Sequence, residues 1–330
     1  MNKKGTYLIP LLILLTALPG FSGGVKKIAQ TGMKWLSVPV GARASALGSA
    51  YTAVADDASA VFWNPAGLAW TEGAHLALSQ TRWIADIAVN AGAASMTVGN
   101  WGTFALSFIS MDWGTFHGTR RANTDAGFVE TAEFSPSDWA LGFSYARRIS
   151  NQFAFGGHLK YVHENLGSTV EGAMAKPKDY TAEMNLMAFD FGTLYYTGFK
   201  DLRFGMSLQN FSQEKVYRAE PFPLPLTFRF GLAMDALGLF MEQPDHSLTL
   251  AVDALHPRDY SERLHVGGEY SFKKMFFLRG GYKTNYDEEG LAFGAGVLLE
   301  ISRMAVGIDY SYLQFAHFDA VQMFSFDFKF

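Results

Sequence analysis

An all-β transmembrane barrel of about fourteen antiparallel strands, with an N-terminal plug in its lumen, is the fold this 330-residue sequence predicts. Three observations carry that reading. The segment Phe324-Ser-Phe-Asp-Phe-Lys-Phe330 puts every aromatic ring on one parity and Ser325, Asp327 and Lys329 on the other. Residues two apart share a face of a strand, so the segment has an aromatic wall and a polar wall. An edge strand of this kind invites aggregation in water, whereas a barrel with lipid outside and a wet lumen requires the pattern. The same alternation recurs in stretches of roughly ten residues from about residue 74 onward. Finally, 49% of the residues are hydrophobic, yet no uncharged apolar stretch past the leader reaches the ~20 residues of a membrane helix.

The elements follow in chain order. Lys3 and Lys4 precede an apolar run from Tyr7 to Leu18 and then Pro19-Gly20-Phe21-Ser22-Gly23. A basic start, a short apolar core and small residues at its end read as a secretory signal peptide over residues 1–23. The core is too short for a spanning helix. The chain has no cysteine, which excludes disulfides, a thiol nucleophile, a thiolate metal site and lipid attachment at cysteine. The net charge of −4 comes with scattered basic residues, which argues against a nucleic-acid partner.

Residues 24–73 do not alternate. Gly41 to Gly48 is rich in alanine and suits a short helix. Asp56 and Asp57 follow, then Asn64-Pro65-Ala66-Gly67. Pro65 holds Asn64 in an extended or turn conformation, the Asn64 side chain caps its own turn, and Gly67 lets the chain reverse. A segment of small apolar residues ahead of a barrel packs best inside a glycine-lined tube, so a plug, or hatch, is expected here. The 33 glycines fit such a lining, because glycine permits close backbone approach.

Over residues 74–330 the expected strands lie near 74–82, 86–98, 101–112, 137–149, 152–163, 181–193, 202–211, 226–235, 247–256, 262–272, 275–283, 290–300, 303–313 and 320–330. In most, large apolar residues alternate with small or polar ones, as in Phe228, Phe230, Leu232 and Met234 against Arg229, Gly231, Ala233 and Asp235. A soluble sandwich would pack its bulk inward instead. Tight turns at Gly99-Asn100, Ser150-Asn151, Lys273-Lys274 and Ile301-Ser302 alternate with longer connections near 113–136, 164–180, 212–225 and 284–289, as barrels with short periplasmic turns and long outer loops do. The link 236–246 is long for its side and suits a short helix. Trp101, Trp113 and Trp139 stand near strand ends, where aromatic girdles belong.

On the inward parity lie Lys160, Arg203, Arg229, Asp253, Glu269, Arg279, Lys283 and Asp309. Arg203, Arg229 and Arg279 are candidate contacts for a ligand carboxylate, although such groups more often pair with one another and with a plug. Gly142-Phe-Ser-Tyr-Ala146 falls inside a strand rather than at a strand-to-helix turn, so it is no nucleophile elbow. The histidines lack metal-ligand spacing, and no phosphate or dinucleotide fingerprint is present. No enzyme activity, cofactor or metal is expected.

The stretch Gly41-Ala-Arg-Ala-Ser-Ala-Leu-Gly-Ser-Ala-Tyr-Thr-Ala-Val-Ala-Asp-Asp-Ala-Ser-Ala-Val-Phe-Trp-Asn-Pro-Ala-Gly-Leu68 resembles the N-terminal hatch of the PorV/PorQ family, within the FadL-like outer-membrane transporters. The resemblance rests on Asn64-Pro65-Ala66 behind the Asp56-Asp57 segment. It implies a fourteen-stranded barrel in the outer membrane of a diderm bacterium. It further implies passage of hydrophobic small molecules such as fatty acids, released sideways near a kinked strand. The alternative it implies is a type IX secretion role, binding secreted protein cargo. The implied partners are outer-membrane lipid, one of those two ligands and, during biogenesis, the barrel assembly machinery, whose signal the Phe330-terminated strand also resembles.

Overall fold

The computed structural model describes residues 30–171, 178–216, 220–240 and 244–330; the expected leader at 1–23 lies outside them. Fourteen strands close into one barrel: β1 (Ala74–Arg82), β2 (Ala88–Val98), β3 (Gly102–Asp112), β4 (Ser137–Arg148), β5 (Phe153–Glu171), β6 (Lys178–Tyr196), β7 (Arg203–Phe211), β8 (Thr227–Asp235), β9 (His246–Pro257), β10 (Arg263–Phe272), β11 (Phe276–Lys283), β12 (Glu289–Ile301), β13 (Met304–Phe315) and β14 (Val321–Lys329). Each pairs antiparallel with its sequence neighbours, and β14 returns to β1 with Phe326 opposite Leu78 and Ser325 opposite Ser79. Closure leaves no free barrel edge, which satisfies the strand backbones within the membrane.

The two walls differ as the parity requires. On β3, Leu106 is 64% exposed while Ala105 is 3% exposed, and on β14 Phe324 and Phe326 are exposed while Ser325 and Met323 are buried. Bulk therefore faces outward and small side chains inward, the reverse of a soluble sandwich. Among the described residues no helix is long and apolar enough to cross a membrane.

Two connections differ from expectation. The 164–180 connection is largely strand, because β5 and β6 run past the barrel rim as a long hairpin and pair beyond a register shift between Asn165 and Ser168. The 113–136 connection holds a hairpin of its own, Phe116–Arg121 against Phe128–Phe134. Among its described residues the 236–246 link contains one 3-10 turn, Leu237–Leu239.

Residues 30–73 fill the barrel. The expected helix is present as α1 (Ala42–Ala46), and 3-10 turns span Lys34–Ser37, Ala58–Phe62 and Pro65–Trp70. Helix α1 touches β11 through β14, the second turn touches β1 to β3, and the third touches β3 to β6. Contacts on that many sides require the segment to lie in the lumen. Leu47, Tyr51, Val61, Trp63 and Leu68 are buried there against wall alanines such as Ala77, Ala105, Ala146 and Ala251. Gly48 has φ +61, and a Cβ there would sit 2.7 Å from the Tyr282 backbone nitrogen; a left-handed residue at such close approach has to be glycine.

Candidate functional site

The motif residues of the plug act together. Asp57 caps the turn after it, accepting from the Ser59 backbone N–H at 2.8 Å and from the Tyr51 hydroxyl at 2.9 Å. Burial pushes its carboxyl up, but Arg43, the Ser59 hydroxyl and the Tyr51 hydroxyl together hold it below the ordinary aspartate range. Asp56 pairs with Arg43 at 2.5 Å at the exposed side of the plug. Asn64 is extended and fully buried. Its Oδ1 accepts from the Ala66 N–H at 3.2 Å, and its Nδ2 donates to the carbonyls of Thr52 at 2.8 Å and Thr193 at 3.0 Å. The expected cap therefore exists, and the same amide ties two segments of the plug to β6. Pro65 and Ala66 rest on Gly156, where a Cβ would come within 2.4 Å of the Pro65 backbone. Gly67 departs from expectation: it makes no reversal and sits inside the third turn, with the Ala55 carbonyl 2.2 Å from where its Cβ would be. Its role is close approach.

Most inward charges serve the plug or one another. Glu269 binds Arg43 through Nε and Nη2 at 2.8 and 3.0 Å, and Arg279 bridges Glu269 and Asp309. Asp253 accepts from the backbone N–H groups of Tyr51 and Thr52 and from the Thr52 hydroxyl. Arg203 donates to the Ala53 carbonyl at 2.7 Å and pairs with Asp201. Lys160 pairs with Asp190 at 2.9 Å. Arg203 thus ties the wall to the plug, Arg279 links two wall carboxylates of which Glu269 holds Arg43, and neither meets Arg229.

Arg229 faces a cavity of about 460 Å³ above the plug, at the end that bears the long loops. One wall is apolar, from Trp35, Val38, Trp83, Ile84, Met111 and Trp113. Trp113 is consequently a cavity residue and not a girdle residue, its indole donating to Asp138 at 2.8 Å; Trp101, 75% exposed, stays on the outside as expected. The opposite wall carries Arg229, Arg263, His265 and Lys283, with Tyr260 and Tyr286. Lys283 is neutralised by Glu289, and Lys34 at the rim by Asp259 at 2.8 Å. On the rim, the backbone N–H and ring of His317 hold the Glu288 carboxyl below its ordinary range. Arg263 escaped the sequence reading, although its parity matches His265, Gly267 and Glu269 on β10.

Residues 37–39 separate this cavity from a smaller one of about 70 Å³ beside Ser107, His158, Lys160 and Asn210. There His158 Nδ1 lies 2.8 Å from the Val61 carbonyl and Nε2 lies 3.0 Å from the Ser107 hydroxyl. A carbonyl only accepts, so Nδ1 carries the proton and Nε2 accepts from Ser107. No local motif announces this contact, which bridges β3 and β5 across Gly142. Among the described residues no cluster of three or more histidine, aspartate or glutamate side chains is arranged to hold a metal.

The family model described as type IX secretion system membrane protein PorP/SprF matches residues 127–317, more than half of the chain. The chain belongs to this family. The plug half of this PorP/SprF protein also matches, over residues 17–163, a model described as an uncharacterised protein family, UPF0164. No curated protein sequence matches it. Solved structures similar to the PorP/SprF barrel include the CymD monoaromatic hydrocarbon channel, at TM-score 0.57 and 12% identity over 89% of this chain and 98% of that one. A Pseudomonas aeruginosa FadL homologue gives TM-score 0.54 and 12% identity over 89% and 98%. The Pseudomonas putida toluene transporter TodX gives 0.52 and 11% over 86% and 96%. At such identities the likeness is one of fold: an outer-membrane barrel of FadL-like architecture.

Proposed function

We propose that this outer-membrane barrel takes up hydrophobic small molecules, fatty acids among them, from the cell surface of a diderm bacterium. The observation that carries the reading is the aromatic-walled cavity, which lies on the long-loop side of a plug that fills the lumen. An apolar solute gains by leaving water for such a wall, at about 25 cal/mol per Å² of apolar area buried. Beneath residues 37–39, four residues of β7 (208 to 211) lie opposite three of β6 (189 to 191), and Asn210 is left-handed. This irregularity borders the smaller cavity and is the proposed point of sideways release into lipid. In this reading the protein is not an enzyme: the His158 proton is committed to the plug carbonyl, and Asp190 stands off at 3.5 Å. Failure of a fluorophosphonate probe to label Ser107 is the expected result.

The second reading, a type IX secretion component binding secreted cargo, is favoured by the PorP/SprF match. The resemblance of residues 41–68 to the PorV/PorQ hatch fits both readings and does not separate them. Affinity purification from native membranes separates the two. Recovery of translocon subunits or cargo favours secretion; recovery of the barrel alone, with saturable uptake of an apolar solute, favours transport.

A further inference from the structure

We infer that the vestibule beneath the plug binds a zwitterionic amino acid with an apolar side chain, Asp327 receiving its ammonium group and Lys329 and Lys274 its carboxylate. The vestibule is a cavity of about 220 Å³ at the short-turn end of the barrel, and Arg43, Asp56 and Asp57 supply its plug side. The plug separates it from the mouth cavity. Several of its charges are spent on one another. Arg43 pairs with Asp56 at 2.5 Å and reaches Asp57 at 3.6 Å, and Arg279 holds Asp309. Asp327, Lys329 and Lys274 differ: among the described residues none of the three has an ion pair or a hydrogen bond. Asp327 and Lys329 are half-buried, and Lys274 stands at the rim on the turn between β10 and β11. Withdrawing a charge from water without giving it a partner is costly. Open groups of both signs around one cavity call for a ligand that brings both signs.

The apolar part of the ligand has its own counterpart. Leu298, Gly307 and Asp327 stand directly opposite one another on β12, β13 and β14, on the parity that faces the lumen. That parity carries mostly small or polar residues, so Leu298 and the nearby Phe277 are bulky apolar surface turned toward the vestibule. Gly307 keeps the row open between its two ends, since a Cβ there would lie 3.3 Å from the Asp327 Cβ and 3.5 Å from Leu298. Neighbouring strands are about 4.8 Å apart, which puts Leu298 and Asp327 roughly 10 Å from each other in the wall. An amino acid spans that distance with its ammonium on the carboxylate and its side chain on Leu298 and Phe277. Lys329 is the next lumenal residue along β14, about 7 Å from Asp327. Its flexible stem brings the charge to the ligand carboxylate, and Lys274 approaches the same group from the rim. A neutral hydrocarbon leaves all three charges unanswered, a fatty acid leaves Asp327 unanswered, and a simple amine leaves the lysines so.

The test is calorimetric titration of the full barrel in detergent with phenylalanine, phenylalanine amide, 3-phenylpropionate and glycine. The last three lack the carboxylate, the ammonium and the apolar side chain respectively. Phenylalanine is expected to bind about tenfold more tightly than each of them, the scale of one charge-assisted hydrogen bond. Asp327→Asn is expected to weaken phenylalanine by a similar factor. Lys329→Gln and Lys274→Gln each weaken phenylalanine and leave the amide unaffected. Heat-modifiable migration verifies that each variant is assembled, and Lys274→Gln, on an exposed turn, keeps a variant available that does not disturb the wall. Phenylalanine binding that persists unchanged in Asp327→Asn overturns the assignment. Equal affinity of phenylalanine and its amide overturns the zwitterion, and absence of saturable phenylalanine binding overturns the site altogether. None of these outcomes bears on the mouth cavity, which lies on the other side of the plug.

Discussion

Replacing Asn64 tests the plug most directly. Its side chain makes three hydrogen bonds from a fully buried position, to the Ala66 N–H and to the carbonyls of Thr52 and Thr193. At about 0.5–1.5 kcal/mol for each, Asn64→Ala weakens plug docking by roughly 2–4 kcal/mol. That is a shift of roughly thirty- to several-hundredfold in the ratio of docked to released plug, at 1.4 kcal/mol per factor of ten. Asn64→Asp costs more, because a carboxylate oxygen then faces two carbonyl oxygens in place of the donor Nδ2. None of these bonds belongs to the barrel ladder, so the barrel itself is expected to assemble and to remain heat-modifiable. The assay is single-channel conductance in planar bilayers: wild type stays closed, Asn64→Ala flickers open, and Asn64→Asp opens for longer. An Asn64→Asp barrel that is assembled and as closed as wild type would refute the placement of the motif as the tie between plug and wall.

Four further outcomes are expected. Gly156→Val pushes two methyl groups toward the Pro65 backbone, which already lies within 2.4 Å of the Cβ position; overpacking of about 1–3 kcal/mol is expected to raise conductance without blocking assembly. Leu106→Arg, on the lipid face at mid-strand of β3, is expected to cost about 2–4 kcal/mol, seen as a lower urea midpoint in lipid vesicles. Deleting residues 41–68 is expected to leave an assembled barrel that leaks small solutes in vesicle-swelling assays. Unchanged permeability would place the segment outside the lumen. Asp57 has a depressed pKa in the folded state, so its stabilising contribution is full above the unfolded aspartate value and fades as pH falls through the folded one. Conductance is accordingly expected to rise only below about pH 4, and Asp57→Asn should remove that acid-induced step.

Much of the barrel was legible because parity is a local property. Phe324 and Phe326 against Ser325, or Leu106 against Ala105, state which way each side chain points without knowledge of any partner strand. The strands whose alternation was poorest, β2 and β6, still formed, since closure supplies their neighbours whatever their own pattern. The hairpin of β5 and β6 beyond the rim was not legible: above the membrane no lipid face enforces alternation, so that pairing left no periodic mark. The Asn64 cap was also legible, because it acts over two residues, while Pro65 narrowed Asn64 to an extended or turn conformation and the structure chose the first. Gly67 was misassigned, since a glycine needed for a turn and one needed for contact look alike in a sequence.

Residue parity alone determined which side chains meet lipid and which meet the lumen, and the small residues ahead of the first strand determined that something fills that lumen. Only the closed structure decided which lumenal groups meet. Arg203, Arg229 and Arg279 share a parity, but rotation around the barrel and height along it send Arg203 to a plug carbonyl, Arg279 to two wall carboxylates and Arg229 to the cavity. Arg263 joins Arg229 from two strands away in the wall, beside loop tyrosines that no periodicity records. Those encounters are set by strand register and by the path of the plug, both of which depend on contacts hundreds of residues apart in the chain.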